Sequence, residues 1–106
     1  MTDDDRTLIL SCCEQAEQDK IIITHGTDAM VETAKFLAGK NFDKTIVLTG
    51  ALNPARFKDS DAVFNIGCAV GAVQCLPVGV YIAMNGKVWD PEHVRKNRRE
   101  NHFEPT

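Results

Sequence analysis

Two threonine hydroxyls, an imidazole and a carboxylate fall together in Thr24-His25-Gly26-Thr27-Asp28, directly after the β-branched run Ile21-Ile22-Ile23. If that run is a strand and a helix follows, the segment lies where backbone N–H groups and the helix dipole can hold an anion. Such a place suits a carboxylate-bearing substrate. Gly26 would let the backbone turn tightly or approach a ligand closely. The plainer alternative is that Thr27 and Asp28 only cap the following helix, and spacing alone leaves both readings open. A threonine hydroxyl becomes a nucleophile when a base takes its proton, and Lys96, in Val94-Arg95-Lys96-Asn97, is a candidate partner. An unperturbed ammonium holds its proton at neutral pH, so Lys96 could act as a base only if burial lowered its pKa. A neighbouring aspartate opposes that shift but orients the ammonium. Read alone, Lys96 is a solvated charge near the chain end.

The elements that must position these groups follow from periodicity. Thr2 followed by Asp3, Asp4 and Asp5 predicts a capped helix over residues 3 to 18, with Leu8, Ile9, Cys12, Cys13 and Ala16 as its apolar stripe. Lys20 to Thr24 predicts a strand, and Met30, Val31, Ala34, Phe36 and Leu37 a helix ending at Gly39. The unit repeats with a strand at Lys44 to Thr49, a polar loop, and a helix from Ser60 carrying Val63, Phe64, Ile66, Val70 and Val73. A third strand is predicted over Val78 to Met84, then an Asn85-Gly86 hairpin turn into Lys87 to Trp89. Asp90-Pro91 marks a possible helix start, and residues 98 to 106 read as a ragged, charged tail. Strands alternating with helices predict a three-layer α/β/α fold around a mostly parallel sheet, in one domain over residues 1 to 106. Ligands of such sheets sit beyond the carboxyl ends of the strands, here Thr24 to Asp28 and Thr49 to Asn53.

Composition narrows the function classes. Apolar residues make up 43% and charged residues 25%, the balance of a folded globular chain. The net charge of −3 gives no reason to expect nucleic acid or an anionic membrane as partner, which leaves a small solute. The basic run Arg95 to Arg99 lacks interleaved aromatics and reads as a solvated face. Neither GxGxxG nor a P-loop occurs, against a dinucleotide or NTP. Cys12, Cys13, Cys68 and Cys75 match no zinc spacing and read as reduced, half-buried helix residues. His25 reads as part of the turn's hydrogen bonding rather than as a metal ligand. An acidic amino end and the lack of an 18-residue apolar run suggest a soluble, cytoplasmic protein.

The segments IITHGTDAMVETA, KTIVLTGALNPA, SDAVFNIGCAVGAVQ, GVYIAMNG and VRKN occur in this order, over residues 21 to 104. Together they resemble the bacterial L-asparaginase family, in the Rossmann-like N-terminal domain that bears its active site. The resemblance implies a Thr-Lys-Asp triad of Thr27, Lys96 and Asp28, with Lys96 handling the proton of Thr27. Thr27 would activate water or act on the acyl intermediate. Asp28 would also bind the substrate α-amino group, Gly26 would belong to the binding turn, and the Ala51 main-chain carbonyl would face the side-chain amide. The implied reaction splits the side-chain amide of L-asparagine or a similar small amide to carboxylate and ammonia, with no cofactor and no metal.

Departures temper that expectation. Nothing here resembles the family's TGGTI-like segment with its primary nucleophile, the tyrosine-bearing loop or the C-terminal domain, as if the domain were truncated at its amino end. Tyr81 falls inside a core strand, Ala29 replaces a threonine, and Asn53 stands where arginine usually precedes proline. Little or no turnover is therefore expected of this chain. The alternative function is a non-catalytic partial domain that binds a small acidic ligand or another subunit. Loss of the family's first strand would leave Lys20 to Thr24 as an apolar edge, so a homo-oligomer, most simply a dimer, is expected.

Overall fold

The computed structural model describes residues 1–41, 43–52 and 61–106. Thr2 opens helix α1 (Asp3–Gln15) with a reciprocal cap: its hydroxyl accepts the Asp5 N–H, and the Asp5 carboxylate accepts the Thr2 N–H. The helix stops three residues short of the expected boundary, because Ala16 is already extended. Its last turn carries no basic residue; Lys44 supplies one from a distance, donating to the Cys13 carbonyl at 2.7 Å and to that of Ala16.

Strand β1 (Lys20–Thr24), helix α2 (Met30–Ala38), strand β2 (Thr45–Thr49), helix α3 (Ala62–Cys75) and strand β3 (Gly79–Met84) follow in the expected alternation. β2 lies between β1 and β3, parallel to both. All five of its residues are buried, because parallel neighbours need crossover helices and those helices cover both faces. Ile46, Leu48, Ile82 and Met84 face α1 and α2, packing with Met30, Leu37 and Cys13. Val47 and Ala83 face α3, meeting Ala69 and Val73. The fold is thus three-layered α/β/α around a mostly parallel sheet. Strand β4 (Lys87–Trp89) adds antiparallel to β3 through the Asn85-Gly86 turn, whose φ values of 57° and 73° are the left-handed pair this tight hairpin needs.

The carboxyl-terminal segment departs from its sequence. Asp90-Pro91 begins a single 3-10 turn (Pro91–His93), not a longer helix. In place of a ragged tail, β5 (Val94–Asn97) and β6 (His102–Pro105) form an antiparallel hairpin. Its charge density conceals two anchors, Val94 and Phe103, which are 1% and 4% exposed and join the core under α2. The Phe103 N–H also donates to Asn85 Oδ1 at 2.8 Å, tying the hairpin to the β3–β4 turn. The Ser60 helix start and Asn53 lie outside the described residues. Among the described residues no helix is long and apolar enough to cross a membrane. The four cysteines are free and helical: Cys13 is buried, Cys68 partly so, and Cys12 and Cys75 are exposed.

If the hairpin is held by core burial rather than by its charges, Phe103→Ala should lower the unfolding free energy by about 3 kcal/mol. Val88→Ala, at a position 46% exposed, should change it by no more than about 0.5 kcal/mol. Urea denaturation of the two variants makes the comparison, and equal small effects would refute the anchoring role.

Candidate functional site

Alternation along β5 sets the site. Val94 points into the core, so Lys96, two residues on, projects on the same side of the strand, toward the turn after β1. Its side chain is 11% exposed. A lysine so withdrawn from water needs oxygen partners, and Lys96 Nζ donates to Thr27 Oγ1 at 2.7 Å and to Asp28 Oδ1 at 2.6 Å. Residues 69 and 68 positions apart in sequence thus meet at the carboxyl end of β1. Lys96 is no solvated tail charge.

Thr27 and Asp28 do not cap α2 either. The residue at the N-cap is Ala29, with no side-chain cap bond, and both polar side chains are committed to Lys96 instead. Thr27 is 8% exposed, whereas the Asp28 carboxylate is largely open to solvent. The hydrogen bond from Lys96, with its positive charge, holds the Asp28 carboxyl below its ordinary pKa of 3.8. Arg98 adds a smaller pull in the same direction, with Nε 3.7 Å from Oδ1, and its guanidinium donates to the Asp28 carbonyl at 3.2 Å. Arg95 pairs across the hairpin with Glu104 at 3.2 Å. Arg95 and Arg98 nonetheless stay 66% and 69% exposed, so Lys96 is the cation of the basic run that leaves the solvated face. Sequence reasoning missed Arg98, although the two-residue period that places Lys96 also places Arg98.

Glycine roles are exchanged relative to expectation. Gly26 has no positive φ, and a Cβ there would meet open space, so the turn does not require glycine. Space in front of Gly26 remains compatible with a ligand. The constrained position is Gly50, where a Cβ would collide with the His25 carbonyl oxygen. That close approach brings the loop after β2 against the Thr24–Asp28 turn. The Gly50 carbonyl accepts from Asn65 Nδ2 at 2.8 Å, and the Leu52 N–H reaches both Asp61 carboxylate oxygens at 2.9 Å. Ala51 is held between these two anchors from the start of α3. Asp61 and Asn65 were not among the sequence-derived candidates; their polar types on an otherwise uncharged helix were the available signal.

A cleft of 370 Å³ lined by His25, Gly26, Thr27, Asp28 and Ala29 opens beside these residues, with Met1 at its edge. A second, of 610 Å³, lies on the far side of Asp28 against Lys96, Arg98, Glu32 and Lys35. Both ring nitrogens of His25 have partners, Nδ1 at 2.6 Å from the Gly26 carbonyl oxygen in the turn and Nε2 at 2.9 Å from Thr33 Oγ1 on α2. Among the described residues no group of three or more His, Cys, Asp or Glu side chains could hold a metal ion.

Residues 1–103 match the family model described as asparaginase, N-terminal. A protein of Haemophilus influenzae named "Probable L-asparaginase periplasmic" is 40% identical over 82 residues, covering 74% of this chain and 24% of that protein. A "Glutaminase-asparaginase" of Pseudomonas fluorescens is 32% identical over 92 residues, covering 83% of this chain and 25% of its own length. The solved structure of the thermostable L-asparaginase from Thermococcus kodakarensis superposes with a TM-score of 0.90 at 30% identity, over 99% of this chain and 34% of that one. This chain spans about a quarter of the length of the curated relatives. The first relative also corrects the expectation of a cytoplasmic protein: a chain this similar carries a periplasmic name.

An NMR titration of the Asp28 carboxyl tests the electrostatics. Because its folded pKa is depressed, the Asp28–Lys96 pair stabilises the docked hairpin at pH values above the unfolded carboxyl pKa. That contribution is lost as pH falls through the lower folded value. The midpoint should lie below 3.8 in the native chain and rise toward 3.8 in Lys96→Met. An unchanged midpoint in Lys96→Met would assign the shift to another group.

Proposed function

The chain belongs to the asparaginase family, matching its N-terminal domain, and on that premise we propose that Thr27, Lys96 and Asp28 form part of a site that hydrolyses a small amide. The observation that carries the proposal is the Lys96 ammonium bridging Thr27 Oγ1 and Asp28 Oδ1 beyond the end of β1. The substrate class is L-asparagine, glutamine or a related amino-acid amide, consistent with relatives named for either activity. The reaction adds water across the amide C–N bond and yields a carboxylate and ammonia. Asp28, whose side chain is largely exposed, takes the substrate's α-ammonium group, as an open carboxylate beside a cleft can. Gly26 and Ala51 contribute backbone on the two loops that meet at Gly50. Lys96, through the Thr27 hydroxyl that accepts its hydrogen bond, supplies a proton to the leaving nitrogen.

One feature favours binding over turnover for these 106 residues alone. Lys96 is a donor to both oxygens, so Thr27 is an acceptor from it and is not deprotonated by it in this arrangement. The second reading is therefore a binding or subunit-interaction domain that uses the same cleft. With L-asparagine, the purified chain should release ammonia at well under about 1 per second, below the ordinary enzyme range. L-Aspartate should nonetheless perturb the Thr27 and Asp28 amide resonances, and Asp28→Asn should abolish the perturbation. Turnover within the ordinary range, lost in Thr27→Ala, would overturn the binding-only reading; no perturbation by either amino acid would sink the site itself.

Self-association belongs to the same proposal. Among the described residues β1 lies at the edge of the sheet, and the bonds from Thr45 N–H to Asp19 and from His25 N–H to Thr49 show that its odd-numbered residues face β2. Alternation turns the N–H and C=O groups of Lys20, Ile22 and Thr24 outward. A groove of 420 Å³ lined by Leu8, Ile9, Cys12, Cys13, Ile21 and Ile23 runs beside them, and Leu8 is 66% exposed. An antiparallel pairing of two β1 edges about Ile22 sets Lys20 against Thr24, with no like charges opposed. Light scattering should report a dimer that Leu8→Glu weakens by about tenfold or more in Kd. A monomer at high micromolar concentration contradicts the pairing.

A further inference from the structure

The turn that presents Thr27 and Asp28 is held from outside by a hydrogen-bond chain reaching back to α1. His25 Nδ1 lies 2.6 Å from the Gly26 carbonyl oxygen, which can only accept, so Nδ1 carries a hydrogen. In the neutral ring Nε2 is then an acceptor, and its partner at 2.9 Å is Thr33 Oγ1. Thr33 is fully buried on the first turn of α2. Its oxygen accepts from Arg6 Nε at 3.2 Å and keeps its own hydrogen free to donate to His25 Nε2. With a neutral ring the bonds run from Arg6 Nε–H to Thr33 Oγ1, from Thr33 O–H to His25 Nε2, and from His25 Nδ1–H to the Gly26 carbonyl. Arg6 is itself clamped, its two terminal nitrogens bound to Asp3 at 3.1 Å and Glu32 at 3.0 Å, and its side chain is 12% exposed.

We infer that Arg6, Thr33 and His25 are positioning residues for the Thr27–Asp28 pair. The Gly26 carbonyl belongs to the peptide plane that also carries the Thr27 N–H, so fixing that oxygen fixes the orientation in which Thr27 leaves the turn. Nothing in the geometry of Gly26 does this work, since a side chain would fit there and its φ is ordinary. Ala29 offers no side-chain cap that could hold the turn from the other end. Helix α1, which touches neither Thr27 nor Lys96 through any of its hydrogen bonds, thereby takes part in shaping the ligand cleft. The bond to Gly26 needs hydrogen on Nδ1: the tautomer with its hydrogen on Nε2 would lose it.

The inference rests on the reading of Thr27, Asp28 and Lys96 as a ligand site, and its test separates the two. In the native chain, ¹⁵N NMR of His25 at neutral pH should show one tautomer, with hydrogen on Nδ1 and a bare Nε2. Thr33→Val keeps the shape but removes the hydroxyl; it should mix the tautomers, shift the Thr27 and Asp28 amide resonances, and weaken L-aspartate binding by about tenfold. Thr33→Ser restores the hydroxyl and should return all three readouts to within about twofold of native. Should Thr33→Val fail to fold, Arg6→Leu at the outer end of the chain of bonds should shift the same amides and weaken binding by about threefold. Hydrogen on Nε2 in the native protein, or equal behaviour of the valine and serine variants, overturns the relay. If the native chain binds no L-aspartate, the site reading fails while the tautomer and amide readouts still decide the relay.

Discussion

Everything in this fold is arranged around the complete burial of β2. Ile46, Val47 and Leu48 are each 0% exposed, which demands apolar cover on both faces and paired strands on both edges. Parallel neighbours meet the second demand, and the crossover helices they require meet the first. With β1, β2 and β3 running the same way, the loops after β1 and β2 leave the sheet at one edge. The collision that any side chain at Gly50 would suffer with the His25 carbonyl measures how closely the two loops approach there. That convergence packs the loop after β2 against the turn whose residues line the candidate cleft.

The hairpin β5–β6 reaches the candidate site by a different route. Two apolar side chains, Val94 and Phe103, are enough to dock a segment that is otherwise mostly charged, because each withdraws a large apolar surface from water. Docking then fixes the strand's alternation, and alternation drives Lys96 toward the turn after β1. A long flexible ammonium side chain loses considerable rotamer freedom there, and it does so because two oxygens are already in place to receive it. The charged pair is the result of the hydrophobic anchor rather than its cause, since Asp28 is exposed and an ion pair in water contributes little by itself.

Chemistry at the site is governed by who donates. Lys96 gives hydrogen bonds to Thr27 and Asp28, His25 gives one to Gly26 and takes one from Thr33, and Arg6 terminates the series with a permanent charge. The turn is thereby tied on the side facing α1 and open where the Asp28 carboxylate meets the cleft. For the proposed ligand, such a preformed turn would lower the ordering cost of binding.

Periodicity and turn chemistry alone determined the alternation of strands and helices, the parallel sheet and the Asn85-Gly86 hairpin, because each depends on residues close in sequence. The association of Thr27, Asp28 and Lys96 was legible only through the resemblance; their own spacing favoured a cap and a solvated lysine. Tertiary structure decided against both, through contacts nearly seventy positions apart that no local pattern encodes. It also turned a charged tail into a hairpin, because two buried side chains outweigh many exposed charges. Likewise it moved the demand for glycine from Gly26 to Gly50, since steric exclusion is a property of what a distant strand brings alongside. The early end of α1 has the same origin: Lys44, 28 residues beyond Ala16, supplies the cation the helix lacks.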